Sequence, residues 1–211
     1  MRQKAIVIDL DCTLLTINTF KSYILYVNKL SYRKGRIDIS FFLTMWVLLR
    51  KCRIISHEYM KYQILKCTEH FMKEKSLKDF TNLIIKHLNK KLVEKISIYR
   101  KQNFILCLST AAPSNYASLV AKEFSFDIFC ATPMPSQISK FLWQENVKGT
   151  KCKNTLNLLK EQNLDIDILV TDHYDDIPLL EIQKSENLIV NPTQRTLEKL
   201  EEKNIKFKIL E

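Results

Sequence analysis

The sequence predicts an α/β fold: a Rossmann-like three-layer core with a mainly parallel sheet, plus an all-helical cap. Three observations lead there. In the second half of the chain, short β-rich runs alternate with amphipathic helical stretches, the pattern of a parallel sheet covered on both faces. Near the N-terminus a lone apolar run, AIVI at 5–8, stops at two aspartates. Between that run and the next β-rich one, residues 18 to about 102 contain no proline and read as continuous helix.

The elements follow in order. After the strand at 5–8, Asn18 or Thr19 can cap a helix that gathers Phe20, Tyr23, Ile24 and Val27 on one face. Asp38 or Ser40 can open a second helix through the apolar run 41–49, and Ser56 can cap a third. Leu77, Phe80, Ile84 and Leu88 make a fourth stripe; Leu92, Ile96 and Tyr99 make a fifth, ending near KQN. Strands are then expected at 104–108, 126–131, 166–170, 187–190 and 205–210, with helices at 114–123, 151–163, 176–184 and 193–203. Residues 1–16 and 103–211 are therefore expected to form the core, and 17–102 the inserted cap.

Composition narrows the class. The 211 residues are 46% apolar and 27% charged, which suits a folded globular chain rather than a disordered one. The start, MRQKAIVIDLD, reaches acidic residues too soon for a signal peptide. The run FFLTMWVLL (41–49) is far short of the ~20 residues that span a bilayer, so a cytoplasmic protein is expected. Six scattered cysteines without a CxxC pair and four histidines without metal-like spacing argue against disulfides and zinc. The net charge of +10 attracts anions in general, but its lysines alternate with glutamates, as in KLVEK. No nucleic-acid partner is expected, whereas a phosphorylated small molecule is favoured. Contact with a membrane surface is only weakly suggested, by the run 41–49 followed by RKCR.

In open parallel sheets, functional groups gather beyond the carboxyl ends of the strands. There the sequence places Asp9 and Asp11, then Ser109 and Thr110, then Thr171 and Asp172 with Asp175 and Asp176 close behind. Lys148 lies in the segment ENVKGTK before the last group. Asp9 and Asp172 can offer oxygens to Mg²⁺, which favours carboxylates with water and phosphate. A hydroxyl and a lysine can hold phosphoryl oxygens. Of the two DxD aspartates, one can attack phosphorus and the other can move the proton.

DLDCT (9–13), LSTAAP (108–113), ENVKG (145–149) and TDHYDDIPLL (171–180) resemble, in order, the four motifs of the haloacid dehalogenase superfamily. The closest resemblance is to its phosphoserine-phosphatase-like branch, which carries a helical cap straight after the first motif. The closing stretch NLIVNPTQRTLEKLEEKNIKFKIL is similar too, so the likeness runs almost the whole length. It implies a Mg²⁺-dependent phosphatase that hydrolyses a small-molecule phosphomonoester through an aspartyl-phosphate. Asp9 would be the nucleophile and a metal ligand. Asp11 would be the general acid/base, with its backbone carbonyl on the metal, and Thr13 would brace the loop. Thr110 would hold the phosphoryl group, with Ser109 as the other candidate hydroxyl. Lys148, or else Lys151, would neutralise Asp9 and phosphate. Asp172 would complete the metal site, supported by Asp176.

Three positions depart from the pattern. Cys12 stands where glycine or serine is usual, and Thr171 replaces the glycine that usually opens the fourth motif. Asn18 stands where phosphoserine phosphatases carry the glutamate that recognises the substrate's amino group, which argues against phosphoserine itself. Two rival readings are a phosphotransferase on the same fold and a basic binding protein with an idle site.

Overall fold

The computed structural model describes residues 3–182 and 185–210. Its sheet contains β1 (Gln3–Ile8), β2 (Ile105–Pro113), β3 (Ile128–Thr132), β4 (Leu164–Thr171), β5 (Glu186–Val190) and β6 (Lys208–Leu210). All pairings are parallel, in the order β3-β2-β1-β4-β5-β6. The first strand is thus central, and the winding reverses across it. That reversal opens a crevice at the carboxyl ends of β1, β2 and β4.

Between β1 and β2 lie α1 (Thr19–Arg33), α2 (Ile37–Lys51), α3 (His57–Thr68), α4 (Glu74–Ile84) and α5 (Lys90–Lys101). Asn18 caps α1 by accepting the Lys21 amide at 2.8 Å, and Ser56 caps α3 by accepting that of Tyr59 at 3.1 Å. The remaining helices are α6 (Ser114–Glu123), α7 (Lys148–Glu161), α8 (Ile177–Leu180) and α9 (Gln194–Glu202).

The strands' period of two divides the core in half. Ile6, Ile8, Leu106 and Leu108 face α6 and the helices between β1 and β2. Ala5, Val7 and Cys107 face Leu159 of α7, Leu179 and Leu180 of α8, and Leu200 of α9. One irregularity resets this alternation. Along β1 the register of β4 jumps from Ile166 to Ile168, leaving Asp167 as an extra residue. Ile166 therefore joins one half of the core and Ile168 the other, as a bulge requires. Asp167 accepts hydrogen bonds from Lys4 and Ser185 at 3.2 and 2.5 Å.

Some element boundaries differ from expectation, each for a local reason. The helix expected at 176–184 is only Ile177–Leu180, entered through a tight turn at Tyr174–Asp176 with Pro178 in its first turn; residues 183–184 of that expectation lie outside the described residues. The strand expected at 205–210 begins at Lys208. Asn204 takes a left-handed φ of 52° and the Ile205 amide folds back on the Leu200 carbonyl, closing α9 first. Similarly, β3 begins at Ile128 because Ser125, at φ 51°, and the Phe126 amide bond to Ala121 close α6. The second helix opens at Ile37 rather than at Asp38 or Ser40. The fourth stripe leaves helical geometry before Leu88, which is extended and bridges to Leu15. Among the described residues, no helix is long and apolar enough to cross a membrane.

Candidate active site

Asp9 leaves β1 with its amide donating to the Val170 carbonyl of β4 at 2.9 Å. The residue is 9% exposed and lines a cavity of about 320 Å³ with Asp11, Cys12, Asn18, Ala111, Lys151 and Asp172. Lys151, buried on α7, donates to Asp9 Oδ1 at 2.8 Å and to Asp176 Oδ2 at 2.7 Å. The Thr171 hydroxyl donates to the same Asp176 oxygen at 2.6 Å. The threonine that replaces the expected glycine therefore fixes Asp176, which in turn fixes the lysine.

The lysine at Asp9 is Lys151, which corrects the preference for Lys148. Lys148 opens α7 with a left-handed φ of 53°, so its side chain leaves the direction of the helical face. It is 67% exposed and comes no closer to an acid than 3.8 Å, at Asp175. Lys151, a turn later and fully helical, points inward.

The strand alternation also corrects Ser109. It shares the α7 side of β2 with Cys107, and its hydroxyl lies 2.6 Å from that of Thr155 on α7, away from the cavity. Thr110 is wholly buried, and its hydroxyl accepts the Ala112 amide at 3.0 Å. Of this segment, Ala111 reaches the cavity wall. Thr13 donates to Asp172 Oδ1 at 3.4 Å, and its carbonyl accepts from Asn89 at 3.2 Å, so it braces the loop from both sides. Asp11 Oδ1 accepts the Thr19 amide at the start of α1, at 2.8 Å, a favourable place for a carboxylate. Asn18 lines the cavity at its edge.

The electrostatics are those of a negative excess. Burial, aided by the nearby charges of Asp176 and Asp172, pushes Asp9 up to about 8 against the pull of Lys151. Burial also raises Asp172 to about 6, with His173 opposing and Asp176 adding to the rise. Asp11 is raised by burial despite its bonds to Thr19. Lys151, by contrast, is held firmly charged: Asp176 and Asp9 outweigh the effect of its burial. Cys12 sits at φ 55°, which accounts for the usual glycine. Burial and the neighbouring aspartates lift its thiol to about 11, so it stays protonated and weakly nucleophilic.

This donor set fits a hard divalent cation. Asp9 and Asp172 are oxygen donors at one cavity, and their charges oppose each other's ionisation, a conflict that a cation relieves. Among the described residues no three acidic, histidine or cysteine side chains form an all-protein cage. Mg²⁺ ordinarily takes one or two carboxylates and fills its shell with water and phosphate.

A second polar cluster escaped the sequence reading. Lys61 of α3 is buried and donates to Glu145 Oε1 at 2.5 Å and to the Ala111 carbonyl at 2.7 Å. His57 Nδ1 lies 3.1 Å from Glu145 Oε2, and Glu58 accepts the Glu145 amide at 3.0 Å. Asn146, next in the chain, donates to the Thr110 carbonyl at 2.9 Å. The helices between β1 and β2 are thereby joined to the end of β2 and to the segment between β3 and α7. Glu145 and Asn146 fall within the ENVKG motif, whereas nothing in the local pattern around Lys61 sets it apart from its many lysine neighbours.

No protein-family model matches the sequence, and no curated protein matches it. Solved structures do share its fold. A protein of unknown function from Bordetella pertussis Tohama I is 14% identical with a TM-score of 0.79, over 100% of this chain and 99% of that one. A HAD family hydrolase from Salmonella enterica serovar Typhi is 13% identical with a TM-score of 0.63, over 93% of this chain and 65% of that one. A probable phosphoserine phosphatase from Vibrio cholerae is 11% identical with a TM-score of 0.66, over 93% of this chain and 59% of that one. The chain thus shares the fold of these structures, a HAD family hydrolase and a probable phosphoserine phosphatase among them.

Proposed function

We propose that the protein is a phosphatase acting on small-molecule phosphomonoesters through Asp9, with residues 17–102 serving as a cap over an α/β core. The observation that carries this reading is the junction of Asp9, Asp11, Asp172 and Lys151 at one small cavity beyond the sheet's reversal point. Lys151 occupies Asp9 Oδ1, leaving Oδ2 as the attacking oxygen. As the Asp9–phosphorus bond forms, the bond from phosphorus to the substrate's alcohol oxygen breaks. Asp11 gives that oxygen its proton, a role suited to a carboxyl raised by burial. Water then attacks the aspartyl-phosphate and returns a proton to Asp11, releasing phosphate and restoring the Asp9 carboxylate. Lys151 holds negative charge at Asp9 throughout. Asp9, Asp172 and the Asp11 carbonyl would hold Mg²⁺, which when bound supplies positive charge that keeps Asp9 ionised and neutralises the phosphoryl oxygens.

The test is hydrolysis of p-nitrophenyl phosphate with Mg²⁺. Activity should vanish with a chelator and return on adding the metal. Asp9→Asn should lower turnover by roughly a thousandfold or more, as loss of a nucleophile does. Wild-type activity from Asp9→Asn would exclude the assignment.

A further inference from the structure

Beside the catalytic cavity lies a second one of about 550 Å³, and Asn18 lines both. The two differ in chemistry. The catalytic cavity is walled mostly by acids and Lys151, whereas the second is walled by Phe20, Ile24, Leu25, Val47 and Met60 of α1, α2 and α3. Its charged residues, Lys21, Arg50 and Lys51, are cationic, and among the described residues no carboxylate lines it. Leu25 remains 62% exposed on this wall.

We propose that this cavity holds the alcohol half of the substrate, and that the substrate is the phosphomonoester of a long-chain alkyl alcohol; this rests on the phosphatase reading above. The phosphoryl group and the chain are assigned to one molecule because Asn18 lines both cavities and so sets them side by side. An apolar cavity adjoining a phosphate site is filled best by an amphiphile whose anionic end reaches Asp9. The cationic residues and the lack of a carboxylate disfavour a substrate bearing an ammonium group beside its phosphate, consistent with asparagine at position 18.

The experiment uses the full chain with Mg²⁺ and the ethyl, butyl, hexyl and octyl phosphate esters, each below its micelle concentration. kcat/KM should rise about fourfold per methylene until the cavity is filled, and O-phosphoserine should do no better than ethyl phosphate. Val47→Trp, or Ile24→Trp should the first not fold, narrows the cavity and should bring the octyl-to-ethyl ratio toward one. Ethyl- and octylphosphonate, which are not hydrolysed, give a readout without turnover: octylphosphonate should raise the unfolding temperature more, and the tryptophan variant should erase the difference. Hydrolysis of p-nitrophenyl phosphate with no dependence on chain length overturns this substrate class and leaves the phosphatase reading standing. No hydrolysis of any ester overturns the phosphatase reading. In that event equal protection by the two phosphonates overturns the cavity assignment as well.

Discussion

Two buried lysines, Lys151 and Lys61, sit in different charge balances. Lys151 is shared by two carboxylates, with Asp172 nearby, so acid outnumbers base; burial, with the charges of Asp176 and Asp172 adding to it, drives Asp9 up to about 8. Around Glu145 the Lys61 ammonium faces the carboxylate directly and leaves no such excess. Burial alone would raise its carboxyl, but the His57 hydrogen bond and the Lys61 ammonium outweigh that and hold it down at about 2. The first cluster retains negative charge beside an open cavity and has a use for another cation. The second is closed on itself and works as a fastener between α3, the end of β2 and the segment between β3 and α7. Having similar components, they differ in whether the charges inside sum to zero.

The largest break in this comparison is Lys151→Met. It leaves Asp9 and Asp176 buried without their cation, which should abolish phosphatase activity and cost about 3–5 kcal/mol in urea unfolding at neutral pH. The loss should shrink as pH falls through about 8, where Asp9 takes up its proton; a loss that grows on acidification would contradict the charge balance described. Lys61→Met should cost about 3 kcal/mol by the same measurement, because Glu145 and the Ala111 carbonyl lose their donor. Adding Glu145→Leu should recover much of this, and failure to recover would show that packing, not the ion pair, carries the contact.

The pH dependence of Glu145 sharpens the contrast. Its carboxyl is lowered from 4.5 to about 2 on folding, so it stabilises the fold above its unfolded value and ceases to as pH falls through its folded one. The stability gap between the parent and Glu145→Gln should narrow between about pH 4.5 and about pH 2, by up to roughly 3 kcal/mol. A gap constant over that window would refute the depressed carboxyl. The smallest effect belongs to Cys12→Gly. Glycine relieves the left-handed backbone but loses more entropy on folding, so unfolding should shift by no more than about 1 kcal/mol.

The comparison also shows what could be read from the chain. Asp9, Asp11, Thr13 and Asp172 were legible because each follows a strand whose apolar run marks its end, and strand ends converge at a parallel sheet's reversal point. Lys151 was misplaced by three residues, since a left-handed φ at Lys148 has no signature in residue type other than the adjacent Gly149. Ser109 and Thr110 are neighbours on one strand, so sequence brings both to the same edge. Only the alternation sends Ser109 to Thr155.

The sequence by itself determined the α/β class, the order of its elements and the acidic residues at the strand ends, because periodicity and strand termination are local properties of the chain. The tertiary structure alone decided which lysine meets Asp9, that Asp167 bulges and resets β4, and that Lys61 closes onto Glu145. Those facts depend on contacts between segments remote in sequence, where backbone angles and packing, rather than spacing, choose the partner.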